Sequence, residues 1–239
     1  FFSNFKKISN NLVINKPDWL KKSLLWKKKY PIVLENYRSQ KKFVNPYLFM
    51  EKLSNFLKKD DVVIPDDGAH LTWTVQAMKV LKEQRLFSSF GNSPMGYAFP
   101  AAIGASIALN KKKVICIDGD GAVLMHMGSL AINGNTNCNN FRHILLNNGS
   151  HDSVGGQPTV GHEIDFQNIA KACKYDLILQ AETCDEIIKC MKQLNIFEGK
   201  VFLEIRLKKG FRKNLGRPTV KPKKNKENLM KFIKDSRHG

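Results

Sequence analysis

The sequence contains no Cys-x-x-Cys pair. Its five cysteines (Cys116, Cys138, Cys173, Cys184, Cys190) are an odd number scattered along a chain of 239 residues. That pattern argues against a disulfide framework or a structural zinc site, and it predicts a reducing, cytoplasmic setting. No apolar run approaches the ~20 residues that a membrane-spanning helix needs, so no membrane partner is expected. There is no initial Met, and Phe1-Phe2-Ser3-Asn4-Phe5-Lys6-Lys7 lacks the order of features of a signal peptide. The expectation is a piece of a longer protein. No internal repeat is visible.

Acidic residues are scarce at both ends. Residues 1–60 carry 14 basic and 4 acidic groups, residues 61–205 carry 12 and 15, and residues 206–239 carry 13 and 2. The formal net charge of +18 therefore lies in the flanks, while the centre is slightly acidic. A nucleic-acid reader is expected to carry its basic stripe on the folded body. Lys-rich flanks read instead as a solubilising surface, and nucleic acid is not an expected partner. Enough apolar residues are present, 42% with 10% aromatic, to exclude wholesale disorder.

Residues 1–45 are polar and Lys-rich, with one helix suggested around Trp19 to Trp26. They read as the tail of an upstream domain plus a linker. From Pro46 the pattern tightens. Helices are predicted over 46–58, through Trp73 to Leu81, and over Phe99–Leu109, Val123–Ile132, Ile164–Cys173 and Cys184–Leu194. Short apolar strands alternate with them at Asp61–Pro65, Lys113–Ile117, Phe141–Leu146, Leu177–Leu179 and Val201–Ile205. This alternation predicts an α/β fold, a doubly wound and mostly parallel sheet with helices on both faces. The folded domain is expected over 46–207, followed by a basic extension over 208–239 with a short final helix from Asn225 to Lys234.

In such a sheet, ligands bind outside the carboxyl ends of strands. One strand runs into Gly119-Asp120-Gly121-Ala122, where glycines permit close approach of backbone to a ligand. The next ends in Leu146-Asn147-Asn148-Gly149-Ser150. One connecting helix makes these strands plausible neighbours, about 4.8 Å apart. Asp120 and Asn148 then share one rim, within reach of one ion. Carboxylate, amide and carbonyl oxygens suit Mg²⁺ holding a diphosphate. Each half alone is also ordinary turn chemistry.

Gly119-Asp120-Gly121, with Asn147-Asn148 further on, resembles the diphosphate-binding motif of thiamine-diphosphate enzymes. Gly91-Asn92-Ser93-Pro94-Met95-Gly96 through Gly104 resembles their aminopyrimidine-holding segment. Asp66-Asp67-Gly68-Ala69-His70 resembles a loop touching the diphosphate. The similarity runs from about residue 46 to the end. Residues 1–110 look like the acetolactate synthase group. Residues 114–220 look like phosphonopyruvate decarboxylases, through Cys116 to Gly128, His151-Asp152-Ser153-Val154-Gly155-Gly156-Gln157-Pro158-Thr159, and Phe202 to Thr219.

The resemblance implies thiamine diphosphate and Mg²⁺ as cofactors. Asp120, the Asn148 side chain and the Ser150 carbonyl would bind the metal. Gly119, Gly121 and Ala122 would hold the diphosphate, with Gly68 and His70 touching phosphates. Met95 would wedge under the cofactor, and the Ser93 carbonyl would accept from the aminopyrimidine amine. The superfamily draws its activating Glu from a pyrimidine-binding domain, which must come from a missing upstream part or another subunit. A homo-oligomer is the expected assembly. The implied function is decarboxylation of a 2-oxo acid, phosphonopyruvate to phosphonoacetaldehyde and CO₂. The alternatives are carboligation of the acetolactate synthase type, or a basic binding module that has lost the chemistry.

Other residues have weaker signals. His151, after the metal loop, could do acid–base work near neutral pH, or be a satisfied loop residue. His126 reads as a helix-face residue, and Gln157 and Thr159 as pocket or loop residues equally. Arg206, Arg212 and Arg217 could meet a phosphonate, although a basic surface explains them too. His143 and His162 suggest no role.

Overall fold

The computed structural model describes residues 17–110, 112–213, 215 and 219–236. It divides into two compact units, one up to Lys209 and one from Gly210 on.

The first unit opens with α1 (Pro17–Lys29), none of whose residues is buried, and the short α2 (Glu35–Arg38). Burial starts at Val44, which bridges to Leu207 beyond the last strand. Asn45 then caps α3 (Pro46–Phe56) by accepting the Tyr47 N–H, with Pro46 at the first helical position. The elements that follow are β1 (Val62–Pro65), α4 (Ala69–Ala77), β2 (Arg85–Leu86), α5 (Ala98–Leu109), β3 (Val114–Gly119), α6 (Asp120–Met125), α7 (Ser129–Gly134) and β4 (Phe141–Asn147). Next come a hairpin of β5 (Ser150–His151) and β6 (Gln157–Pro158), then α8 (Phe166–Ala172), β7 (Leu177–Ala181), α9 (Cys184–Ile196) and β8 (Val201–Arg206).

Six strands form one sheet in the order β2-β1-β3-β4-β8-β7, every pair parallel. Side chains alternate between its faces, as the period of two in a strand demands. Ile115, Ile117, Ile144, Leu146, Leu203 and Ile205 join a cluster with Leu48, Leu53, Trp73, Ile187 and Met191. Val114, Cys116, Phe141, Leu145 and Phe202 face Phe99, Ala102, Phe166 and Ala170. Because helices cover both faces, β3 and β4 are buried at every position and are mostly apolar, Asp118, Arg142, His143 and Asn147 being the buried polar exceptions. Each fully buried Leu, Ile or Phe contributes about 1.5–3 kcal/mol.

Three local expectations need correction. The helix after β1 ends at Ala77, because the Lys79 N–H is taken by Ser54 Oγ at 2.9 Å rather than by the helix. The helix expected over Val123–Ile132 is two short ones broken around His126–Gly128, where His126 leaves helical geometry and glycine, a poor helix former, follows. The edge strand β2 and the β5–β6 hairpin, two residues per strand, fall below what periodicity can register.

The second unit carries α10 (Pro222–Asp235), fully exposed, with Leu229, Met230, Phe232 and Ile233 open to solvent. Among the described residues, no helix is long and apolar enough to cross a membrane.

Candidate active site

The chain leaves β1 for β2 on one side and returns to β3 on the other. Strand order therefore reverses between β1 and β3, and the crevice outside their carboxyl ends is where ligands bind in such sheets. Pro65 pairs with Ile117, so Asp66 to His70 and Gly119 to Ala122 flank one cleft. Gly119 pairs with Leu146, which brings Asn148 alongside. The cleft is lined by residues from four segments, among them Gly68, His70, Trp73, Met95, Gly119, Asp120, Gly121, Ala122, Asn148, Ser150 and His151.

Gly68 begins α4 at φ 146°, a conformation other residues rarely adopt. A Cβ at Gly68 or at Gly119 would each lie 2.8 Å from the His70 ring. The two glycines thus make room for a buried imidazole between them. His70 is 5% exposed, and its Nε2 has no hydrogen-bond partner. Burial pushes its pKa down to about 4 against the attraction of Asp118, so the ring is neutral. An orphaned imidazole nitrogen in a cleft suits a ligand that supplies its partner.

Asp66, at the end of β1, is 1% exposed. One of its oxygens accepts the Gly96 N–H at 2.9 Å and the other the Ala98 N–H at 3.0 Å. It thereby ties the loop carrying Met95 to the sheet and caps α5. Burial, then the neighbouring Asp118, raises its pKa to about 7. Asp118 opposes burial by a 2.7 Å bond to His143 Nε2, which holds its carboxyl below the usual range. The His143 Nδ1 faces the Tyr175 hydroxyl at 3.4 Å. Asp66, Asp118 and His143 were not singled out by the sequence; the one available signal is that Asp118 precedes the Gly-Asp-Gly turn.

Asp120 opens α6 and is 2% exposed. Burial raises its pKa, opposed first by the Thr159 hydroxyl, which donates to Oδ2. Asn148 is 5% exposed, and its Oδ1 accepts the Ser150 N–H at 3.3 Å. Asp120 from the end of β3, and Asn148 and Ser150 from beyond β4, the residues expected to hold the metal, line the same cleft. The donors are hard oxygens, the type that binds Mg²⁺, and the raised carboxyl of Asp120 is a group a cation would relieve.

Of the diphosphate group, Gly68, His70, Gly119, Gly121 and Ala122 all meet at the cleft. Met95 also lines it, and its Cε lies 3.3 Å from where a Gly121 Cβ would stand. His151 Cε1 lies 2.7 Å from that same position, so His151 does face the cleft. Ser93 is not among the lining residues; it is exposed, at φ 48°. Arg206 does not face the cleft either: its Nε lies 3.3 Å from Glu204 and 3.8 Å from Glu182, which neutralise it. Arg212 belongs to the second unit and Arg217 lies outside the described residues. His126 packs beneath Gly96, and His162 against Gly149.

Three comparisons bear on this geometry. Residues 66–205 match the family model described as thiamine pyrophosphate enzyme, C-terminal TPP binding domain. Phosphonopyruvate decarboxylase of Streptomyces viridochromogenes is 33% identical over 134 residues, 56% of this chain and 34% of that protein. The sulfopyruvate decarboxylase subunit beta of Methanocaldococcus jannaschii is 38% identical over 127 residues, 52% of this chain and 65% of that subunit. The acetolactate synthase large subunit of Cyanidium caldarium is 34% identical over 129 residues, 54% of this chain and 21% of that protein. The aligned part thus spans only about a third of the phosphonopyruvate decarboxylase. Family model, parallel sheet and the cleft at its switch point agree: the chain belongs to the thiamine pyrophosphate enzymes, through their C-terminal cofactor-binding domain.

Proposed function

We propose that this chain is the diphosphate-binding part of a 2-oxo acid decarboxylase, with phosphonopyruvate as substrate. The observation that carries the reading is the convergence of Asp120, Asn148, Gly121, Met95 and the orphaned His70 nitrogen on one cleft. When bound, the cofactor supplies a nucleophilic carbon and an electron sink for the departing CO₂.

The chain's own residues do the holding. Asp120, the Asn148 amide oxygen and the Ser150 carbonyl bind Mg²⁺. Gly119, Gly121 and Ala122 approach the diphosphate with bare backbone, and His70 donates or accepts at its far end. Met95 would present an apolar edge to the cofactor, and Asp66 fixes the loop from which Met95 projects. His151, on the hairpin lining the cleft, faces the substrate and moves a proton there. The buried Trp73 and Leu146 line the cleft and exclude water there.

The hairpin from His151 to Thr159 is where this chain resembles phosphonopyruvate decarboxylases, and it forms the cleft wall nearest the substrate. Among the described lining residues none is Lys or Arg. The second anionic group of phosphonopyruvate is met by His151 and by residues from outside this chain. The activating Glu comes from a pyrimidine-binding domain, fused or on a second subunit. The Methanocaldococcus relative, named as a beta subunit, supports the second arrangement. Carboligation of the acetolactate synthase type is the second reading, favoured by residues 1–110 and by the 34% identity to such a large subunit.

Product analysis decides between them. The native assembly, with thiamine diphosphate and Mg²⁺, is offered phosphonopyruvate, sulfopyruvate or pyruvate. Phosphonoacetaldehyde from the first supports the proposal. Acetolactate from the third, with no product from the first, replaces it with carboligation. The isolated chain should give no product from any of them.

A further inference from the structure

The proposed metal ligands are held by side chains that the motif does not include. After Asn148 the chain turns at Gly149 (φ 63°) and runs out along β5, with Ser150 paired to Pro158 and His151 to Gln157. It returns so that the Thr159 N–H bonds the Gly149 carbonyl at 3.1 Å. Asp152, 7% exposed, reaches back over this turn. One carboxylate oxygen accepts the Asn148 amide N–H at 2.7 Å, and the other accepts the Ser150 hydroxyl at 2.9 Å. An amide side chain can turn either end towards a cation, but only its oxygen can bind one. With its nitrogen committed to Asp152, Asn148 has only the oxygen to offer. The same hold fixes the residue whose carbonyl is the third ligand.

The far side of the hairpin acts on the first ligand. The Thr159 hydroxyl donates to Asp120 Oδ2, and itself accepts the Gly161 N–H at 3.1 Å. Gly161 lies so close that a Cβ there would strike the Asp120 carboxylate and stand 2.8 Å from Asn147 Oδ1. Asn147 bonds the Gly161 carbonyl at 2.7 Å and Glu204 at 2.9 Å, and Gln167 supports Glu204 at 3.0 Å. Both ends of the hairpin are therefore braced against the sheet.

We infer that Asp152 and Thr159 are positioning residues that set divalent-cation affinity, Asp152 by orienting Asn148 and Ser150 and Thr159 by fixing Asp120. The inference rests on the functional reading above, since it concerns the cation that reading requires. Residues that hold metal ligands typically change affinity by about 10–100-fold when removed.

The test uses Mn²⁺, another hard cation favouring oxygen ligands, and follows its binding by electron paramagnetic resonance on the native assembly with thiamine diphosphate present. Asp152→Ala should weaken Mn²⁺ binding about tenfold or more. Asp152→Asn should recover most of that loss, because its oxygen can still take the Asn148 N–H while its amide meets the Ser150 hydroxyl. Saturating Mn²⁺ should restore cofactor binding in Asp152→Ala. Wild-type affinity in Asp152→Ala, or an Asp152→Asn as weak as Asp152→Ala, would overturn the inference. If Asp152→Ala fails to fold, Thr159→Val decides: weaker Mn²⁺ binding at an unchanged melting temperature supports the account, and unchanged binding overturns it. A wild-type protein that binds no Mn²⁺ would instead sink the functional reading, and this inference with it.

Discussion

At the amino ends of the strands, Arg142 directs its guanidinium at the carbonyls of Leu194, Asn139, Phe141, Gly199 and Phe197. Nearby, Asn140 bonds Ser106 and the Lys112 carbonyl, and Lys113 bonds Asn195 beside Asp61. These buried side chains are paired there, as stable interiors require. The carboxyl ends of the same strands differ. Burial shifts ionisable groups at both rims, Asp61, Lys113 and Arg142 at the first and Asp66 and Asp120 here. Only here does a buried imidazole nitrogen, His70 Nε2, lack a partner among the described residues while glycines occupy three of the closest approaches. One rim stabilises the fold. The other holds polar groups in unfavourable surroundings that a cation and an anion would relieve, which is the behaviour of a binding site.

The contrast can be broken by mutation at either rim. The largest effect is expected from Arg142→Met, which takes the guanidinium from five carbonyls, of which that of Asn139 keeps the Gly199 N–H. It should cost about 3–5 kcal/mol of stability, read from urea midpoints, with cofactor affinity unchanged. Equal losses of affinity and stability would erase the distinction between rims. Asp120→Ala should do the opposite. Cofactor affinity in Mg²⁺ should fall about 100-fold, on the order of 3 kcal/mol, while the melting temperature holds or rises because a desolvated carboxylate is gone.

Gly119→Ala should be milder. Gly119 has an ordinary φ of −90°, so the only penalty is the new methyl against His70. A loss of about tenfold in cofactor affinity is expected by calorimetry, with a stability loss of about 1–3 kcal/mol as the buried ring shifts. The smallest effect is on pH dependence. Burial holds folded His70 near 4, below its ordinary value, so the unfolded chain takes up a proton first as pH falls. The stability His70 contributes is full above about 6.5 and is lost between there and 4. Asp66, raised to about 7, acts in the other sense: its contribution is lost as pH rises towards 7. His70→Gln should therefore make the rise in stability from pH 4.5 to 6.5 shallower, as measured by urea midpoints at the two values.

The alternation of apolar strands and helices showed the doubly wound sheet, because β3, β4 and β8 are buried and mostly apolar, even though Asp118, Arg142, His143, Asn147 and Glu204 interrupt them. Asp120 and Asn148 were legible because each ends a strand, and adjacent strand ends must meet. The partners of those ligands were not. Asp66 reaches Gly96 and Ala98 across some thirty positions, and Thr159 meets Asp120 across 39. Such long closures depend on strand order and leave no local pattern. Asp152 is the exception, only four residues from Asn148, yet its neighbourhood of Asn, Gly, Ser and Asp looks like any turn. Arg206 differs for the converse reason: its place after the strand expected over Val201–Ile205 suggested a cation for a phosphonate, but Glu204 and Glu182, on two different segments, pair with it.

Trp73 lines the cleft and is buried, whereas Trp19 and Trp26 lie exposed on α1. In a native assembly in which Trp19, Trp26 and any tryptophan outside this chain are replaced by Phe, fluorescence reports on the cleft through Trp73. Titration with thiamine diphosphate, in Mg²⁺ and again in EDTA, tests the central claim directly. The account predicts saturable quenching in Mg²⁺ that disappears in EDTA. The same quenching in both, or none in either, would contradict it.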